Sequence, residues 1–107
     1  MKFKRSSAEI QPGKASEEVL QAVLQVLAAH PEIKKVRVEG HTDNRGSAAL
    51  NKSLSAKRAA SVVKYLAAHG IEKDRLTSQG FGSEHPIDAN TNDAGRANNR
   101  RVEFHIE

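Results

Sequence analysis

Residues 35–58 constrain this chain more than any other stretch. Lys35-Val36-Arg37-Val38-Glu39 alternates strictly, with valines on one side and charged residues on the other. Such a period of two marks a strand with one buried face and one solvated face. The strand runs into Gly40-His41-Thr42-Asp43-Asn44-Arg45-Gly46, a polar segment bounded by glycines. From Ser47 the pattern turns helical. Ala59, Val62, Val63 and Leu66 form an apolar stripe, and Gly70 after His69 is a stop signal. Asp43 is expected at the strand's exit. Leu54-Ser55 is read as an interruption, with Ser55 capping a second helical stretch and Arg58 in its first turn. An anion and a cation would then face one cleft, beside backbone N–H donors at a helix start. That pairing suits a small zwitterion better than a polyanion.

The remainder of the chain supplies a frame for this segment. Phe3 is assigned to a short first strand, and Pro12-Gly13 to a turn within a loop over residues 6–13. Ser16 reads as an N-cap, with Glu17 and Glu18 placed where carboxylates favour the helix dipole. Leu20, Val23, Leu24 and Leu27 follow at helical spacing, and His30-Pro31 ends that helix, with His30 facing solvent. Residues 76–81 are a predicted strand, and Gly80 and Gly82 signal close backbone approach or a bend. Residues 83–99 are polar and rich in Asn, Asp, Gly and Pro, a structured loop with a helical turn near Asp93–Ala97. Val102, Phe104 and Ile106 alternate with Arg101, Glu103 and His105, which predicts a last half-buried strand. The order is β-α-β-α-β-β in a single α+β domain over residues 1–107, with two main helices covering one face of a mixed sheet.

Composition removes several classes of function. There is no cysteine, which excludes thiolate chemistry and disulfides. No apolar run approaches the length of a membrane helix, and no signal peptide is visible. Met1-Lys2-Phe3-Lys4-Arg5 reads as the interior of a longer protein. A net charge of +4 raises the question of nucleic acid. The cations are spread out, however, and Tyr65 is the sole tyrosine in a chain without tryptophan, so bases would find little to stack on. Nucleic acid is not an expected partner. His41-x-Asp43 is half of a metal-site spacing that His85 or Asp88 would have to complete, yet the five histidines are scattered. No nucleophile elbow or phosphate loop appears. The expectation is a binding protein without catalysis, cofactor or metal.

Two motifs carry a resemblance. Thr42-Asp43-x-x-Gly46-x4-Asn51-x2-Leu54-Ser55-x2-Arg58-Ala59-x2-Val62 closely resembles the OmpA-like peptidoglycan-binding domain. Gly80-Phe81-Gly82, Pro86, Asn90 and Gly95-Arg96-x2-Asn99-Arg100-Arg101-Val102-Glu103 repeat it in the second half. The resemblance spans Phe3 to Ile106 and implies a β-α-β-α-β sandwich with a mixed sheet on two helices. It also implies non-covalent binding of peptidoglycan through the meso-diaminopimelate of the stem peptide. Asp43 would take the ammonium of that residue's free stereocentre and Arg58 its carboxylate. Amides from Leu54 through Ser55 to Ala56 would add donors. The implied location is periplasmic, tethered to the outer membrane through segments outside this chain.

The residues themselves leave alternatives. Asp43 and Arg58 equally fit a salt bridge across the turn. Asn51 fits a ligand contact or a tie within the turn, and Thr42 and Asn44 fit backbone or rim contacts. Arg96 and Asn99-Arg100-Arg101 read as anchors for the last strand, with Arg100 also a candidate for the cleft wall. In the loop Lys4-Arg5-Ser6-Ser7, which often helps wall the site in this family, no carboxylate supports the ammonium, leaving Asp43 as its main partner. The rival function is an assembly module of the cell envelope that binds protein instead of cell wall.

Overall fold

The computed structural model describes residues 14–107, with side chains from residue 18 onward. The elements in order are α1 (Lys14–Ala29), β1 (Val36–His41), α2 (Ala48–Ala68), a 3-10 turn (Lys73–Arg75), β2 (Leu76–Gly82), α3 (Asp93–Asn99) and β3 (Arg101–Ile106). The expected first strand at Phe3, the Pro12-Gly13 turn and the Lys4–Ser7 loop lie outside the described residues. Ser16 falls inside α1, so it is not the cap assigned to it.

Among the described residues, strand β1 is the middle of three, in the order β2-β1-β3. It pairs in parallel with β2 and antiparallel with β3, which makes the sheet mixed as expected. The apolar alternation of each strand decides which face is buried. Val36 and Val38 point into one core with Leu20, Leu27, Ala59, Val62, Leu66, Ile71 and Leu76, and Val102 and Phe104 pack against it. Both helical stripes read from the sequence therefore reach the same face of the sheet. Arg75 secures the end of α1, donating to the carbonyls of Leu27, His30 and Ile33, each at 3.0 Å. These carbonyls lie at and beyond a helix C-terminus, where acceptors lack intrahelical partners, although that of His30 also accepts from the Ile33 amide; the guanidinium reaches them with three of its five N–H groups.

Helix α2 is unbroken, which corrects the expected interruption at Leu54-Ser55. Its N-cap is Ser47, whose hydroxyl accepts from the Leu50 amide at 3.3 Å. Ser55 sits mid-helix and is completely buried. A serine is tolerated there because its hydroxyl has two partners. It donates to the Lys52 carbonyl and accepts from the Gly82 amide, both at 2.9 Å. Two register partners, Gly40 and Gly80, form the floor beneath this part of the helix. A Cβ on Gly40 would lie 2.1 Å from the Ser55 carbonyl oxygen, and one on Gly80 would lie 2.3 Å from the Ala56 nitrogen. Only glycine permits that approach. The ladder then shifts, since Gly40 faces Gly80 but His41 faces Gly82. Phe81 is the extra residue of this bulge, and the Gly82 amide goes to Ser55.

Candidate functional site

Strand β1 ends at His41, and the next two residues are buried. The Thr42 amide donates to the Gly82 carbonyl at 2.8 Å, and its hydroxyl donates to the Asp43 carbonyl at 2.8 Å. Thr42 thus fixes the turn by its own bonds. Asn51 does so as well, its amide donating to the carbonyls of Arg45 at 2.9 Å and Asp43 at 3.4 Å. Of the two roles left open for Asn51, the structure displays the tie. Gly46 takes a φ of +85° on the way into α2. Asn44 is exposed on the outside of the turn, and Leu54 is half-buried on α2.

The Asp43 carboxylate is held from two sides. One oxygen accepts from the Arg45 amide at 3.0 Å, and the other accepts from Arg100 Nη1 at 2.6 Å. Burial pushes the Asp43 carboxyl up, but the Arg45 amide and the Arg100 guanidinium outweigh it, and the group lies below the usual carboxylate range. Asp43 is therefore ionised throughout the neutral range. Its side chain is 8% exposed while that of Arg100 is 41% exposed, so the anion is fixed and the cation sits at the rim.

Arg58 is half-buried on α2. Burial lowers its pKa first and the nearby Arg100 charge lowers it further, while Asp43 raises it. It stays a cation, because guanidinium is not deprotonated in proteins, and it feels both charges. Three guanidiniums thus surround the buried Asp43 carboxylate, those of Arg58, Arg100 and Arg45, whose Nε lies 3.7 Å from Asp43 Oδ2. Arg58 lies in the third turn of a continuous helix, so the amides of Leu54, Ser55 and Ala56 belong to the helix interior and are not the free donors expected there. Ser55 is likewise withdrawn as a surface contact, since its hydroxyl is fully buried.

Arg100 was the least obvious member. The antiparallel register sets His41 opposite Arg101, and this delivers the preceding residue to the turn that follows His41. Asn99 anchors it. Completely buried, its side chain accepts from the amides of Ile87 and Asp88 at 2.7 and 3.0 Å and donates to the Asp88 carbonyl at 3.0 Å. Gly95 packs so tightly on this loop that a Cβ would meet the Ala89 carbonyl oxygen at 1.8 Å. The metal set considered around His41 and Asp43 does not assemble. Asp43 is engaged by Arg45 and Arg100, and Asp88 accepts from Ala89 and Asn98.

A fixed carboxylate surrounded by three guanidiniums, where β1 hands over to α2, is the charged centre of this small α+β domain. The chain belongs to the OmpA family, which it matches over residues 2–100. It is 44% identical over 90 residues to the peptidoglycan-binding protein ArfA of Mycobacterium tuberculosis, covering 84% of this chain and 27% of that protein. It is 41% identical over 102 residues to the probable lipoprotein YiaD of Escherichia coli, covering 95% of this chain and 45% of YiaD. The chain thus spans less than half the length of these curated relatives. Among solved structures, the peptidoglycan-associated lipoprotein of Burkholderia pseudomallei superposes with a TM-score of 0.82 at 29% identity, covering 97% of this chain and 84% of that one. A MotB-like protein of Desulfovibrio vulgaris gives 0.81 at 34% identity, covering 95% and 64%.

Proposed function

We propose that this domain binds peptidoglycan reversibly, without cleaving it, and that it reads the diaminopimelate of the stem peptide at Asp43, Arg58 and Arg100. The observation that carries this reading is the buried, ionised Asp43 carboxylate with the guanidiniums of Arg45, Arg58 and Arg100 around it. A diaminopimelate centre carries an ammonium and a carboxylate on one carbon. Asp43 has lone pairs left for the ammonium, and the guanidiniums of Arg58 and Arg100 offer donors to the carboxylate. Arg100, exposed at the rim, is the part able to swing as the ligand enters. The names of ArfA and of the Burkholderia lipoprotein support cell wall as the ligand class. They also support a place in the cell envelope, where such a domain would anchor a larger protein to the wall.

Co-sedimentation with purified sacculi tests this. Asp43→Ala and Arg58→Ala, each verified as folded, should lose about 2–5 kcal/mol of binding, the range for removing one partner of a desolvated charge pair. Variants that sediment like wild type would refute the site. A free diaminopimelate stem should compete, while a lysine stem, which lacks the second carboxylate, should compete at least tenfold less well, or about 1.4 kcal/mol. Equal competition would remove the zwitterion mechanism. Failure of the wild-type domain to sediment would favour a protein-binding assembly role.

A further inference from the structure

The sheet face opposite the helices holds a polar cleft of about 660 Å³, lined in part by Arg37, Glu39, His41, Phe81, Arg101 and Glu103. Strand register places Glu39 directly opposite Glu103. Like charges across a ladder are unfavourable and call for a cation between them. His41 adjoins both. Its side chain is only 2% exposed, yet neither ring nitrogen finds a hydrogen-bond partner among the described residues. A buried imidazole without partners is unfavourable, and a ligand would recover that loss.

We propose that Glu39, His41 and Glu103 form a binding site for a divalent transition-metal ion of the zinc type. One ligand atom from each of the three lies within 4.8 Å of the others. His41 Nε2 is 3.5 Å from Glu39 Oε1 and 3.9 Å from Glu103 Oε2. Ligands bound tetrahedrally at roughly 2.0–2.1 Å stand about 3.4 Å apart, so small side-chain adjustments close the site. One imidazole and two carboxylates form a three-ligand set that leaves a fourth position open. The His41 ring is buried beside both carboxylates. Stacking on Phe81, with centroids 5.4 Å apart, fixes its plane. Arg37 holds the second oxygen of Glu39 at 2.7 Å, orienting that carboxylate from outside the metal site, while Arg101 bonds the Glu103 oxygen that faces His41 and shares it with the metal. Without metal, His105 Nε2 bridges the pair, 3.2 Å from Glu39 Oε1 and 2.8 Å from Glu103 Oε1. The two guanidiniums offset the carboxylate charge, so affinity falls below that of a closed thiolate site.

The test is calorimetric titration of the folded domain with zinc chloride, with magnesium chloride as the oxygen-preferring control. One zinc per chain is expected, with the ring 15N signals of His41 shifting on binding and no comparable heat from magnesium. Glu103→Gln, at a partly exposed position, should weaken zinc by on the order of tenfold or more, and His41→Gln should abolish the one-to-one event. Absence of that event in the wild type would overturn the proposal. So would its persistence in both variants, or 15N shifts confined to the exposed His30 and His69.

Discussion

Ser55→Ala separates the structural role of this residue from the ligand role that its place in the motif suggested. The hydroxyl is completely buried, and it is the acceptor for the Gly82 amide at the point where the β1–β2 ladder shifts. The Lys52 carbonyl loses only a second donor, since it already accepts within the helix. The Gly82 amide loses its only hydroxyl acceptor in a place where Gly40 and Gly80 hold the backbones in contact. Leaving one buried donor unmade costs about 1–3 kcal/mol. In a domain of this size each kcal/mol lowers the melting temperature by about 4–8 °C. Circular-dichroism melts measure that shift, and co-sedimentation well below the transition measures binding. The variant should melt earlier and bind sacculi like wild type. A wild-type melt would show that the pin contributes nothing net. An unchanged melt with lost binding would make Ser55 a ligand contact and refute the buried reading.

Two further predictions concern the loop that delivers Arg100. Asn99→Ala strips bonds from two amides and a carbonyl, so urea denaturation should show a loss of at least ~2 kcal/mol; a loss within ~0.5 kcal/mol, the level of an ordinary surface change, would mean that water replaces the side chain. Asp88 accepts from Asn98 Nδ2 at 2.8 Å and from the Ala89 amide at 2.7 Å, and these bonds hold its carboxyl below the ordinary value. A lowered folded pKa means that its contribution is present above the unfolded value of about 3.9 and is lost as pH falls through the folded one. NMR titration of the Asp88 carboxyl carbon should give a midpoint below about 3.9, and a midpoint at or above that would show that the two bonds do not persist in solution.

What was legible in the sequence follows from how physical signals repeat along a chain. Val36 and Val38, the α1 stripe and the α2 stripe announce their burial because apolar spacing reports which face an element presents. The close approach at Gly80 was legible for the same local reason, since a glycine inside a strand asks for a neighbour that leaves no room for Cβ. Ser55 was misread because serine at a helix start and serine pinned inside a helix look alike until the strand beneath is known. The Asp43–Arg100 bond joins residues 57 apart, and nothing local in either residue names the other. It needs the β1–β3 register. The same register hides the Glu39–Glu103 juxtaposition. Arg37-Glu39-His41 and Arg101-Glu103-His105 each look like an ordinary solvated face, and only their pairing brings like charges together beside a buried imidazole.

That register also links the two sites. Arg100 and Arg101 are consecutive, and a strand sends consecutive side chains in opposite directions. Arg100 reaches the Asp43 turn, while Arg101 donates to the carbonyls of His85 at 2.8 Å and Asn99 at 3.2 Å on the cleft side. A slip of β3 by one residue would lift Arg100 away from Asp43. It would also turn Glu103 and His105 toward the core that Val102 and Phe104 now face. Burying those two polar side chains costs several kcal/mol, so the apolar alternation of β3 resists the slip. Asn99 resists it again from the other end, because its side chain is locked into the loop at Ile87 and Asp88 immediately before the strand begins. The position of the Arg100 cation at the Asp43 carboxylate is therefore set by the packing of Val102 and Phe104 on the same face of the strand as much as by the ion pair itself.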